Sequence, residues 1–177
     1  MSTSGHIVNP TAGSLLGFLA TFGPMTGWDL DRAVSDSIGE FWNVTRSQIY
    51  RELQDLEARG LVESGQPGPR DSIPYEITAD GRAALLDWLA REPGSDVIRH
   101  RLLLTVFFSD HLPEDRLAEI LDSQRKTHQE ILERYQGLQG GLGLEGAMAA
   151  TLRFGIAYEQ MLLEWLSTLP YAEKSPL

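Results

Sequence analysis

The segment NVTRSQIYRELQDLEARGLVE, residues 43–63, constrains the fold most, because it carries both end signals of a short amphipathic helix. Thr45 is followed three residues later by Gln48, which fits a capping box. Gly60 stands where a left-handed residue after the helix is favoured. Between these ends, apolar residues recur at the spacing of one helix face: Ile49, Leu53 and Leu56. The pattern predicts a helix over residues 43–59 with one buried face.

Two helical patterns precede this segment and a hairpin pattern follows it. The stretch TAGSLLGFLATFG predicts a first helix, and Thr26 is the expected N-cap of a second helix in TGWDLDRAVSDSIG. LVESG and IPYEIT predict two strands around the turn QPGPRDS, which together form a projecting loop over residues 61–78. A fourth helix is predicted from near Thr78. Three helices, a hairpin and a helix are the order of a winged helix-turn-helix, predicted here over residues 11–92.

Three stretches of the chain resemble the PadR-type transcriptional regulators, in the same order: LLGFLATFGPMTGWDLDRAV, FWNVTRSQIYRELQDLEARGLVE and PYEITADGRAALLDWL. They contain a Gly-Pro-x-x-Gly-aromatic turn, a Phe-Trp pair, an Ile-Tyr before Leu-x-x-Leu-Glu-x-x-Gly-Leu, and a Tyr-x-Ile-Thr-x-x-Gly. The C-terminal region, with GIAYEQMLLEWL, resembles the dimerisation region of the virulence-activator-like branch. The resemblance implies a mainly α-helical fold, with an N-terminal winged helix-turn-helix and a C-terminal α-helical dimerisation module over residues 93–177.

The first turn of the third helix carries donors that suit DNA, because in helix-turn-helix docking this turn reaches the base edges. Arginine can pair in a bidentate way with guanine and glutamine with adenine, while hydroxyl groups serve phosphate oxygens. The resemblance also implies a phosphate contact for the tyrosine at position 50. Two alternatives stay open: Arg51 could pair with Asp55, and Tyr50 could belong to the core. The predicted DNA-binding residues are Thr45, Arg46, Ser47, Gln48, Tyr50, Arg51 and Gln54, with Arg70 in the wing.

Charge argues against a strongly basic DNA-binding surface. The chain carries a net charge of -10, and residues 1–92 hold 7 Arg, no Lys and 13 Asp plus Glu. The wing offers only Arg70, beside Asp71. A domain of this kind should bind nonspecific DNA weakly and with a shallow salt dependence. Two alternative functions therefore stay open: an acidic protein-interaction or DNA-mimic module without operator binding, and a small-molecule-binding protein whose DNA contact is vestigial.

The C-terminal half predicts a homodimer. Residues 117–138 repeat at spacings of four and three, as in a coiled-coil seam with two polar members, Gln124 and His128. These two residues are expected to set the register, and the alternative is a hydrogen bond to a ligand. Small helical modules with wide apolar faces commonly associate, and a two-fold dimer requires a pseudo-palindromic operator. The function predicted is that of a repressor. The predicted interface residues are Leu103, Val106, Phe107, Leu121, Ile131, Tyr135, Met148, Leu152, Ile156, Leu163 and Leu166.

Aromatic residues near the predicted interface raise the question of an effector. In some members of the resembled family a hydrophobic or aromatic molecule binds there beside tryptophans, and the alternative is simple interface packing. The other tryptophans, Trp28, Trp42 and Trp88, are assigned to the core of the winged helix. The candidate effector-binding residues are Phe108, Tyr158, Met161 and Trp165.

Other chemistry is disfavoured. The absence of cysteine excludes disulfides and thiolate metal sites, and the four histidines lack paired ligand spacing. GLGLEG, residues 141–146, matches G-x-G-x-x-G, but a helix pattern precedes it where a dinucleotide site needs a strand. We expect no metal, no cofactor and no enzyme activity. Residues 1–10 lack the features of a signal peptide and no long apolar run occurs, so a cytoplasmic protein with a flexible N-terminal tail is expected.

Overall fold

The computed structural model describes residues 8–37, 39, 42–69, 72–94, 99–141 and 145–169. The chain divides into two compact units, Met1–Asp96 and Val97–Leu177. From the sequence we placed the boundary after residue 92, and the domain limits given above stay a prediction.

The N-terminal unit has the element order of a winged helix-turn-helix, which confirms the predicted fold class. Each helix that the sequence predicted in this unit is present, with ends displaced by only a few residues. The elements are α1 (Pro10–Phe22), β1 (Met25–Thr26), α2 (Gly27–Ser37), α3 (Arg46–Ala58), β2 (Val62–Ser64), β3 (Pro74–Ile77) and α4 (Ala79–Leu89).

The strands form one antiparallel sheet in the order β1-β3-β2. Val62 pairs with Ile77 in the predicted wing hairpin, and Met25 pairs with Tyr75 at the opposite edge of β3. The sequence predicted the hairpin but missed β1. With two residues, β1 is too short to show the alternation by which a strand is detected.

Side-chain caps fix where three helices begin. Thr26 and Asp29 bond reciprocally: Asp29 N–H donates to Thr26 Oγ1 at 3.1 Å and Thr26 N–H donates to Asp29 Oδ2 at 3.0 Å. Thr45 and Gln48 form the predicted capping box at the start of α3. Thr78 caps α4 by accepting from the backbone N–H of Gly81 at 3.0 Å. These caps satisfy N–H groups that the first helical turn leaves without partners, so the sequence fixes the start of each helix.

One apolar core joins α1, α2, α3, α4 and the sheet. Trp88 packs against it over Gly13, where a β-carbon would lie 2.6 Å from the indole ring. Trp28 corrects the sequence interpretation, because it is 49% exposed and lies beside the Arg32 guanidinium, 5.3 Å from the ring centroid. The largest fully buried side chains of this core are Leu15, Leu16, Leu19, Leu30, Ile49, Leu53, Leu56 and Leu61.

The C-terminal unit consists of two long helices, which pack against each other in antiparallel orientation, and one short helix. These are α5 (Arg101–Phe107), α6 (Glu114–Gly141) and α7 (Gly146–Thr168), with a 3-10 turn at Ser109–His111. The predicted seam of α6 faces its neighbours: Leu121 is buried with Leu166, and Tyr135 is buried with Ile156. Helix α6 ends at Gly141 and α7 begins at Gly146, the first and last residues of GLGLEG; the loop predicted between them falls mostly on residues 142–144, which lie outside the described part. None of the helices described is long and apolar enough to cross a membrane.

Candidate nucleic-acid interface

Helix α3 buries one face and leaves its DNA candidates on the others. Its apolar face is anchored in the core of the N-terminal unit. The winged-helix order makes α3 the second helix of the helix-turn-helix, the one that enters the major groove in that motif. Among the candidates Gln48 is half-buried, and the exposed ones are Thr45, Arg46, Ser47, Tyr50, Arg51 and Gln54.

Arg46 is tied to α2. Its Nε donates to Asp31 Oδ2 at 3.0 Å and its Nη2 donates to the same oxygen at 2.7 Å. This hydrogen bond, followed by the Coulomb attraction of Asp31, raises the pKa of the Arg46 guanidinium above its ordinary value. The sequence showed Arg46 but not this partner, which lies 15 residues away on the preceding helix. Arg46 is therefore oriented before any DNA is bound.

Gln48 is partly used inside the protein. The side-chain Oε1 of Gln48 accepts from the Thr45 backbone N–H at 2.9 Å, and the backbone N–H of Gln48 donates to Thr45 Oγ1 at 3.3 Å. The Thr45 hydroxyl also lies 3.1 Å from that of Ser47. A bidentate contact with adenine needs both the oxygen and the amide nitrogen of glutamine. While the cap is intact Gln48 has only its amide nitrogen to offer, so its contact with DNA stays a prediction.

Tyr50 is a surface residue rather than a core residue, since it is 42% exposed. Its ring lies against Gly27 at the start of α2, where a β-carbon would stand 2.6 Å from Cε1. A larger residue at position 27 would push the ring away. The hydroxyl is held at the surface where α2 meets α3, a position compatible with the predicted phosphate contact.

The alternative partner considered for Arg51 is engaged elsewhere. Asp55 accepts from Arg59 Nη1 at 3.0 Å, one helical turn further along α3. Within the described part of the chain, Arg51 forms no ion pair within 4.0 Å and its side chain is exposed. Arg70, the wing candidate, lies outside the described residues, as does Asp71.

Among the described residues, the effector candidates have different surroundings. Phe108 and Met161 are exposed. Trp165 packs against the Leu102 cluster, while Tyr158 stacks on Phe154 with ring centroids 6.4 Å apart. A cleft of about 420 Å³ on α6 is lined by none of them; its lining residues are Arg125, Lys126, Gln129, Glu130, Glu133 and Leu163.

A buried contact between a histidine and a glutamate links α6 to α7, and sequence analysis missed the glutamate. Glu159 is only 2% exposed, and its Oε2 lies 2.6 Å from His128 Nδ1. The register role predicted for His128 therefore depends on a specific partner. The clue was present in the sequence: Glu159 interrupts the apolar stripe of α7 between Ile156 and Leu163. An acid at such a position needs a partner to be buried.

His128 and Glu159 both influence the pKa of His100. Burial, followed by the charge of His128, lowers the pKa of His100 below its ordinary value, and Glu159 opposes the shift. The Nδ1 of His100 is buried without a hydrogen-bond partner in the described structure. No group of three or more His, Cys, Asp or Glu residues able to hold a metal occurs among the residues described.

The depressed pKa of His100 predicts an acid-sensitive C-terminal unit. Because the unfolded chain binds the proton more readily, this contribution to stability is present above the unfolded pKa and is lost as pH falls below about 6.5. We expect a smaller drop in thermal midpoint between pH 7.5 and pH 5.5 for His100→Gln than for the unmodified chain. His111→Gln, an exposed position, is the control. Equal drops in all three proteins would contradict the assignment.

The predicted dimer residues fall into three groups. Within one chain the side chains of Leu121, Tyr135, Ile156 and Leu166 are already buried, so they do not require a second chain to cover them. Val106, Ile131, Leu152 and Leu163 are half-buried. Three residues remain exposed: Leu103, Phe107 and Met148. Contact of any of them with a second chain stays a prediction, and the exposed group has the greatest apolar surface left to cover.

Two family models match this chain. Residues 15–87 match the transcriptional regulator PadR-like family. Residues 98–169 match the virulence activator alpha C-terminal region. Among curated proteins, the negative transcriptional regulator PadR of Bacillus subtilis is 27% identical over 128 residues, which cover 70% of each chain.

Solved structures agree in fold. A PadR-like transcriptional regulator from Bacillus cereus superposes with a TM-score of 0.78 at 19% identity, covering 89% of this chain and 93% of that one. Bacillus subtilis PadR in complex with operator DNA gives a TM-score of 0.75 at 23% identity, covering 90% and 96%. The same protein with p-coumaric acid gives 0.65 at 22%, covering 92% and 96%. Residues 15–87 of this chain therefore match the PadR-like family of transcriptional regulators, and residues 98–169 match the virulence activator alpha C-terminal region.

Proposed function

We propose that this chain is a cytoplasmic repressor that binds a pseudo-palindromic operator as a homodimer, through α3 and the wing over residues 61–78. The observation that carries the proposal is the construction of α3. Its apolar face is fixed in the core, its first turn is capped, and its remaining faces expose arginine, hydroxyl and amide groups. Such a helix offers preorganised donors to the major groove.

The relatives support this proposal at two points. The Bacillus subtilis relative is named a negative regulator, and the same protein has been crystallised on operator DNA. Repression by this chain follows the same logic, since a dimer seated on an operator excludes other proteins from that DNA.

Dimerisation is proposed through the C-terminal unit. Phe107 is 79% exposed and Leu104 is 60% exposed on the short helix α5, and Phe108 follows at 54%. Exposed apolar residues grouped in this way mark an interaction surface. A two-fold dimer would place two copies of α3 about one DNA turn apart.

We further propose that a small-molecule effector controls DNA binding. The p-coumaric acid complex of the Bacillus subtilis protein supports release from DNA by a small hydrophobic or aromatic molecule. Phe108, Tyr158, Met161 and Trp165 remain the candidates for binding it. Burial, followed by the charge of Glu159, raises the pKa of Tyr158, so its hydroxyl stays protonated and able to donate a hydrogen bond at neutral pH.

Arg51→Ala tests the role of α3. We expect operator affinity to fall by about tenfold or more, because a bidentate arginine contact discriminates a base by about 1–3 kcal/mol. Fluorescence anisotropy with a labelled operator measures this effect, and thermal unfolding should be nearly unchanged because the side chain is exposed. Arg82→Ala, exposed on α4, is the matched control and should bind as the unmodified chain does. Equal affinity of all three proteins would contradict the proposal.

A further inference from the structure

The contact between Asp31 and Arg46 uses only one edge of the guanidinium. Nε and Nη2 both donate to Asp31 Oδ2, at 3.0 and 2.7 Å. A guanidinium carries five N–H donors in a rigid plane. Asp31 leaves two N–H groups on Nη1 and one on Nη2 unused, and one from each of these nitrogens forms the end edge of the group. That edge can meet two neighbouring acceptors side by side.

The Asp31–Arg46 pair is exposed to solvent, and it contributes little to the free energy of folding. The side chain of Arg46 is 59% exposed and that of Asp31 is 24% exposed. Exposed ion pairs contribute little to folding, because water screens them and ordering two side chains costs entropy. Holding α2 against α3 is therefore not the main effect of this contact. Its clearer effect is on what Arg46 can bind.

Two properties of Arg46 follow from the contact. The guanidinium is held in one orientation by its side edge, and its positive charge is offset by the carboxylate of Asp31. A phosphate, which attracts chiefly through charge, gains less from a neutralised arginine than from a free one. Guanine, which presents O6 and N7 as adjacent acceptors in the major groove, matches the free end edge.

We propose that Asp31 is a specificity-determining residue, which positions Arg46 for one guanine in each operator half-site and withholds it from phosphates. This inference rests on the proposed function, because it requires an operator. It assigns the acidic charge of α2 a role in sequence discrimination. The acidic N-terminal unit then binds nonspecific DNA more weakly and discriminates more strongly between sequences.

The test compares four proteins: the unmodified chain, Asp31→Asn, Arg46→Ala and Asp36→Asn. Asparagine keeps the shape of aspartate and removes its charge. Asp36 lies on the same helix and pairs with Arg32 at 3.6 Å, so Asp36→Asn removes an equivalent charge away from Arg46. An operator is first selected from random duplexes with the unmodified chain. Each protein is then titrated, over a salt series, against that operator, against versions with each guanine replaced by adenine, and against random duplex.

We expect Asp31→Asn to lose about tenfold of its preference for guanine at one position of each half-site. Its affinity for random duplex should rise, with a salt slope steeper by about 1 per chain, because Arg46 becomes free to bind phosphate. Arg46→Ala should lose the same guanine preference without the steeper slope. Asp36→Asn should match the unmodified chain in base preference.

Two outcomes overturn the inference by itself. One is an Asp31→Asn protein that keeps full guanine preference, which would make the contact only a tie between helices. The other is an Arg46→Ala protein with unchanged base preference and a shallower salt slope, which would make Arg46 a phosphate contact. If the unmodified chain enriches no sequence at all, the inference and the proposed function both fail.

Discussion

Replacing His128 with leucine should lower the free energy of unfolding by about 3 kcal/mol, because it leaves a buried carboxylate without its partner. Glu159 is 2% exposed, and His128 lies 2.6 Å from its Oε2. Leucine fills the space of the imidazole but offers no hydrogen bond or charge. Urea unfolding followed by circular dichroism, at fixed protein concentration, measures the loss.

Two further variants separate this effect from a general effect of leucine on α6. Gln129→Leu changes the neighbouring residue, which is exposed and bonds only to Glu133 among the described contacts, and should change stability by no more than about 0.5 kcal/mol. The double variant His128→Leu with Glu159→Leu should recover most of the loss, since an apolar pair replaces the buried polar pair. A single variant as stable as the unmodified chain would show that the pair is not holding α6 to α7.

Gly81→Ala should destabilise the N-terminal unit by about 3 kcal/mol or more, because no space exists for a methyl group there. A β-carbon on Gly81 would overlap the carbonyl oxygen of Leu61 and lie 2.8 Å from Ile77 Cγ1. That carbonyl also accepts from the Thr78 backbone N–H at 3.1 Å. The helix α4 would have to move away from the wing hairpin. Thermal and urea unfolding measure the loss.

Gly17→Ala supplies the matched control for Gly81. It is the same substitution in another helix of the same unit, and its added β-carbon would meet nothing within 4 Å. Alanine is the better helix former, so stability should rise by about 0.5–1 kcal/mol. If both substitutions had the same small effect, the close approach of α4 to the Leu61 backbone would be contradicted.

Local patterns predicted most of the fold because the determining residues lie close together in sequence. The ends of the third helix could be placed from Thr45, Gln48 and Gly60, and the structure begins α3 at Arg46, directly after the N-cap Thr45. The hairpin could be placed from the two prolines and the glycine of its turn. Caps, turns and apolar periodicity all depend on residues that are close together in the sequence, so they can be recognised without the structure.

Features that depend on pairing across the fold escaped prediction. Strand β1 exists because Met25 and Thr26 meet β3, nearly 50 residues later, and its own two residues carry no pattern. The partners of two predicted residues were missed for the same reason: Asp31 for Arg46, and Glu159 for His128. Residue type and helical position identify a candidate, whereas its partner depends on how two helices are packed.

The proposal that this chain reads an operator is tested most directly by selecting bound DNA from a pool of random duplexes with the full-length chain. We expect one enriched pseudo-palindromic motif, with half-sites about one helical turn apart, roughly 10 base pairs, and two chains on each duplex. Binding should weaken only modestly as salt is raised, since the N-terminal unit offers few cations. A folded chain that enriches no sequence after repeated rounds would contradict the operator-binding account, and would favour the acidic protein-interaction alternative.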